Sequence, residues 1–396
     1  MRSSLRATPP VSCTPRRRGR RVLRVTSTSS RTVPAHPPLD LHGDLVDLTR
    51  ALCDLPSVSG DEGPLADLVE AALRGYDHLE VLRDGNAVVA RTSVGHPERV
   101  VVAGHLDTVP IADNLPTELR ETDGTVELWG RGTVDMKGGV AVQLALAARV
   151  TAPVRDVTWV FYDQEEVEAE RNGLGRLVRD HPDWLAADFA VLCEPTRAAI
   201  EGGCNGTLRA EVRTTGRAAH SGRAWLGVNA IHGAAPVLSR LADYRPRTVT
   251  VDGLDYREGL NAVGIRGGIA GNVIPDECVV TVNYRFAPAS SPEQAEAHVR
   301  EVFAGFEVTV TDLAPGARPG LDHPAAARFA AAVADLTGRA PAAKEGWTDV
   351  ARFSALGVPA VNFGPGDPSL AHADDERCPV QDVTACFEGL EAWLTS

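Results

Sequence analysis

A chain of 396 residues, 43% hydrophobic and 23% charged, has enough apolar material for two domains or three. No apolar run approaches the ~18 residues that span a bilayer, so a membrane role has no support. The net charge of −13 conceals a split: residues 1–38 hold nine Arg and no acid, and the remainder holds 31 basic against 53 acidic residues. That balance disfavours nucleic acid as a partner and leaves any anionic substrate to locally placed arginines.

Residues 1–38, rich in Arg, Ser, Thr and Pro, read as a disordered extension. Their composition is that of an organellar transit peptide or of a reading frame extended upstream. The pattern Leu45, Leu48, Leu52 predicts an amphipathic helix, and a loop over 57–63 leads to a second helix carrying Leu65, Leu68, Val69 and Leu73. Strands are expected near 79–83, 86–92 and 99–104, a helix over 140–150, a strand over 157–162, a helix over 165–178 and a strand over 189–193. Strands alternating with helices, with polar residues gathered at strand ends, indicate an α/β sheet with its site at the carboxyl edge. Near Thr207 the pattern changes to half-exposed alternation, with a helix over 228–241 and β runs at 248–251 and 279–282. A helix over 325–336 and a strand over 358–363 then return to the first domain. The expected organisation is an extension (1–38), a catalytic domain in two parts (39–206 and 318–396), and an inserted α+β domain with an antiparallel sheet (207–317).

The seven cysteines are odd in number, scattered and without a C-x-x-C pair, which fits a reduced compartment and excludes a Cys-rich structural zinc site. Chemistry gathers instead around His105 and Asp107, two apart at the end of an apolar strand, where a carboxylate could hold an imidazole in one tautomer. Such a pair alone is more often ordinary loop polarity. Asp135 in a glycine-rich stretch, the adjacent Glu165 and Glu166, Glu194 after a strand, and His372 change that balance. Two His with several carboxylates and no thiolate suit hydrolytic zinc, cobalt or manganese, and are enough for two ions if one carboxylate bridges. Glu165 and Glu166 diverge at a strand-to-helix turn, so one can bind metal while the other abstracts a proton; the plain alternative is a solvated helix start. His220, after a strand of the insert, is either an oxyanion donor or a surface histidine. Arg285, ending an apolar strand, either pairs with an internal acid or faces an anionic ligand.

The stretches Gly-His105-Leu-Asp107-Thr-Val-Pro, Gly-Arg-Gly-Thr-Val-Asp135-Met-Lys-Gly-Gly and Glu165-Glu166, in this order with Glu194 and His372, resemble the di-zinc M20 metallopeptidase and deacylase family from about residue 40 to the end. The resemblance implies an α/β fold, a mixed-sheet di-zinc catalytic domain with an inserted α+β lid and dimerisation domain. It implies two Zn2+, with Co2+ or Mn2+ as substitutes. Asp135 would bridge, His105 and Glu194 would complete one site, and Glu166 and His372 the other. Glu165 would be the general base, Asp107 would orient His105, and His220 would reach the oxyanion from the partner of a homodimer. A cis peptide is expected after Asp135. Residues 201–207, 219–232 and 346–353 are similar to the cytoplasmic bacterial branch of the family that hydrolyses N-succinyl-LL-2,6-diaminopimelate, for lysine and peptidoglycan-precursor synthesis. Arg285, Asn272 and Thr348 would then bind that small-molecule substrate. Another M20 amide hydrolysis, as by acetylornithine deacetylase, an aminoacylase or a carboxypeptidase, is the alternative. A metal- or peptide-binding protein without catalysis is disfavoured by the free carboxylate of Glu165.

Overall fold

A computed structural model describes residues 36–396, so the reading of the Arg-rich extension lies almost wholly outside the described residues. Three apolar runs, Arg99–His105, Asp156–Tyr162 and Phe189–Leu192, form adjacent parallel strands at the centre of an eight-stranded sheet. They are buried almost throughout, as expected where both faces of a sheet are covered. Ala360–Asn362 adds in parallel beside Phe189–Leu192. Glu80–Asp84 and Ala87–Arg91 form an antiparallel pair at the other edge, making the sheet mixed.

One face is covered by Leu45–Cys53, Gly63–Leu73, Lys137–Arg149, Pro324–Thr337 and Val380–Thr395, which supply the larger apolar core. Phe189, Phe329, Phe363 and Trp393 meet there, with ring centroids 4.6 to 5.9 Å apart. The buried ammonium of Lys137 donates to the carbonyls of Leu52 and Leu55, fastening the start of one helix to the end of another. Gly173–Asp180 and Val350–Ala355 cover the opposite face.

A second sheet, wholly antiparallel, has the order Gly259–Gly267, Glu277–Phe286, Gly206–Thr215, Glu307–Ala314. Its own apolar core includes Leu208, Val212, Val280, Val282, Val299 and Phe303. Alternating burial along Gly206–Thr215 and Glu277–Phe286 explains why these strands read as half-exposed.

Two expected helices differ. The chain is not helical from 165; the helix begins at Gly173, with Asn172 accepting the Gly175 N–H as its cap. Residues 165 and 166 instead form a turn whose two amides donate to Asp107, and the preceding Gln164 sits at φ +57°, outside helical backbone. The helix expected over 228–241 is two, Ala230–Gly233 and Ala235–Asp243, the second with Pro236 in its first turn, where a missing N–H is tolerated. The exposed edge strand Gly259–Gly267 was not expected, because its three glycines and outward valine and isoleucine give no alternation.

Replacing Phe329 by Ala should lower unfolding free energy by about 3–5 kcal/mol, read by urea denaturation, while leaving the polar site at the sheet edge unaltered.

Candidate metal centre

Parallel strands end side by side, so the residues just beyond their carboxyl ends share one rim. His105 closes Arg99–His105, the Glu165-Glu166 turn comes after Asp156–Tyr162, and Glu194 comes after Phe189–Leu192. Asp135 comes just before Lys137–Arg149, and the peptide after it is cis, as expected. His372 arrives from the carboxyl-terminal part.

Asp107 holds this rim together. Its fully buried carboxylate accepts the N–H of Glu165 at 3.0 Å, the N–H of Glu166 at 3.1 Å and the hydroxyl of Ser59 at 2.7 Å. His105 Nδ1 lies 3.0 Å from the Asp107 carbonyl and 3.4 Å from its carboxylate. The carbonyl and the carboxylate of Asp107 thus both face the imidazole. A carbonyl only accepts, so Nδ1 carries hydrogen and Nε2 is left toward Asp135, 3.1 Å away. His372 Nε2 lies 2.9 Å from Glu166 and 3.3 Å from Asp135.

Three groups of side chains each place their ligand atoms within 4.8 Å of one another: His105 with Asp135 and Glu194; Asp135 with Glu166 and His372; and His105 with Glu165 and Glu166. Asp135 is common to the first two. The donors are imidazole and carboxylate without thiolate, which fits borderline or hard divalent cations.

Electrostatics agree with that fit. Burial and the charge of Asp135 push Glu194 up to about 7 and raise Glu166, and burial raises Glu165 well above the usual carboxylate range. Hydrogen bonds to Asp135 and Glu166 lift His372 to about 10. His105 is raised as well, its contacts with Asp107 and Asp135 outweighing burial. Too many acids face too few cations, and protons fill the gap that divalent cations would fill.

The substrate candidates are less gathered. Thr348 lines a cavity of about 450 Å³ with Asp135, Glu194, Lys344 and His372, but its hydroxyl donates to Asn362. Arg285 is partly buried and lowered by burial and by Arg209; its Nε donates to Asn283, and it forms no ion pair among the described residues. The internal-acid reading of Arg285 is thus set aside. Arg209 lines a second cavity, about 530 Å³, with Glu165, Glu166, Asn172, Trp347 and Arg352. His220 and Asn272 are apart from the rim within this chain, at the exposed junction where Ser221 N–H donates to Asn272 O. Sequence reasoning missed Ser59, Arg131 and Glu376. Arg131 stood inside the glycine-rich stretch before Asp135, which was its one signal, and Glu376 in the run Asp374-Asp375-Glu376 looked like a solvated acid.

Residues 101–396 match the model of the peptidase family M20/M25/M40. The chain belongs to this family. A Mycobacterium tuberculosis (strain H37Rv) protein provisionally named succinyl-diaminopimelate desuccinylase DapE is 55% identical over 359 residues, 90% of this chain and 99% of that protein. The succinyl-diaminopimelate desuccinylase of Corynebacterium glutamicum is 48% identical over 370 residues, 91% of this chain and 98% of the other. The crystal structure of a Staphylococcus aureus tripeptidase superposes with a TM-score of 0.73 at 20% identity, over 90% of this chain and 98% of that one, which establishes likeness of fold alone.

Because ligands must shed protons to bind a cation, adding zinc to the metal-stripped protein at pH 7 should release protons, read with an indicator dye in weak buffer. With His372 raised to about 10, apparent affinity should climb as pH rises from 7 toward 10. His372→Ala should release about one proton fewer.

Proposed function

We propose that this chain hydrolyses N-succinyl-LL-2,6-diaminopimelate to succinate and LL-2,6-diaminopimelate. The observation that carries the reading is the 48–55% identity, over nine-tenths of both chains, to the two named relatives. The rim of imidazole and carboxylate supports amide hydrolysis.

The residues fit two zinc ions, with cobalt or manganese as substitutes: Asp135, His105 and Glu194 would hold one, and Asp135, Glu166 and His372 the other. Such ions would polarise the scissile carbonyl and acidify a water. Glu165, half-buried on the same rim and raised above the usual carboxylate range, would accept a proton from the attacking water and return it to the departing amine. Asp107 positions Glu165, Glu166 and His105 through its carboxylate and its carbonyl. Arg285, with no ion pair among the described residues, suits the succinyl carboxylate; Asn272, at the exposed junction with His220, is the other candidate for that group, and Thr348 lines the cavity suited to the diaminopimelate half.

The second sheet is read as a lid and dimerisation domain inserted at 207–317. Its edge strand Gly259–Gly267 exposes Val263 and Ile265, and nearby Ile269 is 86% and Trp225 76% exposed. An apolar open edge of this kind invites pairing with a second copy. The exposure of His220 fits delivery of its imidazole to the oxyanion of the partner's site. Six buried free cysteines suit a reducing cytoplasm.

Zinc-loaded protein should release free amine from N-succinyl-LL-2,6-diaminopimelate, with little release from N-acetylornithine and none after chelation. Preferential cleavage of the acetyl substrate would keep the metal site and overturn the substrate. Glu165→Gln should lower kcat by on the order of 10²–10⁴-fold while retaining zinc. Glu165→Gln and His220→Ala chains, each inactive alone, should recover activity on mixing, since one site of the mixed dimer then holds both groups.

A further inference from the structure

Behind the proposed metal ligands lies a buried pair that the reaction itself does not use. Arg131 Nη1 donates to Glu376 Oε2 at 2.8 Å, and both side chains are shielded from solvent. The other carboxylate oxygen, Oε1, accepts the N–H of Val134 at 2.9 Å and of Asp135 itself at 3.1 Å. The Glu376 carbonyl accepts the N–H of Gly130 at 2.9 Å, so this one residue grips both ends of the segment 130–135. Arg131 reaches further: Nε donates to Pro110 O at 3.1 Å, just beyond Asp107, and Nη1 to Ala373 O at 3.2 Å, just beyond His372.

Three ligand-bearing segments, distant in sequence, thus meet at one ion pair. His372 needs such a tether most. It lies in a loop at φ +65°, its side chain is about half exposed, and its Nε2 pairs with Glu166 and Asp135. His105, by contrast, is fixed by its strand and by Asp107.

We propose that Arg131 and Glu376 are positioning residues that set the spacing between Asp135 and His372, and hence hold the cation position formed by Asp135, Glu166 and His372. This rests on the two-ion reading of the proposed function. Partners behind a ligand shell typically change metal affinity 10–100-fold when altered.

The test is a cobalt titration of metal-stripped wild type, Glu376→Gln and Arg131→Lys, followed by visible absorption, with His372→Ala marking which equivalent belongs to the His372 side. Wild type should take two equivalents. Glu376→Gln should take the first as wild type does and the second about 10–100-fold more weakly, with kcat recovering in excess cobalt at unchanged KM. Arg131→Lys keeps the charge beside Glu376 but cannot span Pro110, Ala373 and Glu376 together, so it should share the defect; it carries the test if Glu376→Gln does not fold. Retention of the second ion at wild-type affinity in the folded variants, or equal weakening of both ions, overturns the proposal. Wild type taking a single ion instead overturns the two-ion reading, and this proposal with it.

Discussion

The site depends first on one buried carboxylate. Asp107 has no exposure to water, so its charge must be met by fixed donors, and the donors come from three places: the loop at Ser59, the end of its own strand, and the turn after a neighbouring strand. Burial alone would raise it; these hydrogen bonds and the proximity of His105 hold it below the ordinary carboxylate range instead. Because it stays charged, two consecutive amides point at it, and Glu165 and Glu166 must turn their side chains away from it toward the rim. One anion therefore determines both the local backbone and where the two functional carboxylates go.

The rim carries a second, opposite tension. Asp135, Glu165, Glu166 and Glu194 crowd against two imidazoles, and three of the four are pushed upward by burial and by one another. Asp135 alone is lowered, because both histidines hydrogen-bond to it. A site whose raised acids and raised histidines both hold protons is balanced for cations, and removing the protons is what exchanges one kind of positive charge for another. The stiffness of the parallel strands beneath, buried on both faces, lets this repulsion persist without the ligands swinging apart.

Much of this was legible in the sequence because the informative signals were local. Uninterrupted Val-rich runs marked the central strands within a residue or two, and polar residues immediately after them marked the rim. The ligand set came from residue types and order. The features that were not legible depended on partners far along the chain. The acidic run after Glu165 looks helical, and nothing near it in sequence shows that its turn is anchored by a carboxylate 58 residues earlier. Glu376 looks like one more solvated acid beside Asp374 and Asp375, and only the fold reveals that it is buried against a segment 241 residues away. The edge strand Gly259–Gly267 lacks alternation, being exposed on both faces beyond the buried Leu260 in the single chain.

Charge also explains why the second sheet matters to a substrate bound at the first. Beyond residue 38 the chain is strongly acidic, so its long-range field opposes approach of the proposed substrate, which carries three carboxylates against one ammonium. Attraction must be local and short-ranged. The rim itself cannot supply it, being rich in carboxylates. The antiparallel sheet has the cations: Arg285 and Arg209 stand on neighbouring strands, burial and the charge of Arg209 lower Arg285, and Arg285 forms no ion pair among the described residues. A half-buried guanidinium beside a second one is unfavourable, and an anionic group relieves it. The rim crowds negative charge and the antiparallel sheet sets two positive charges side by side, so under the proposed reading a ligand with a carboxylate at one end and an amide carbonyl nearer the other would suit both.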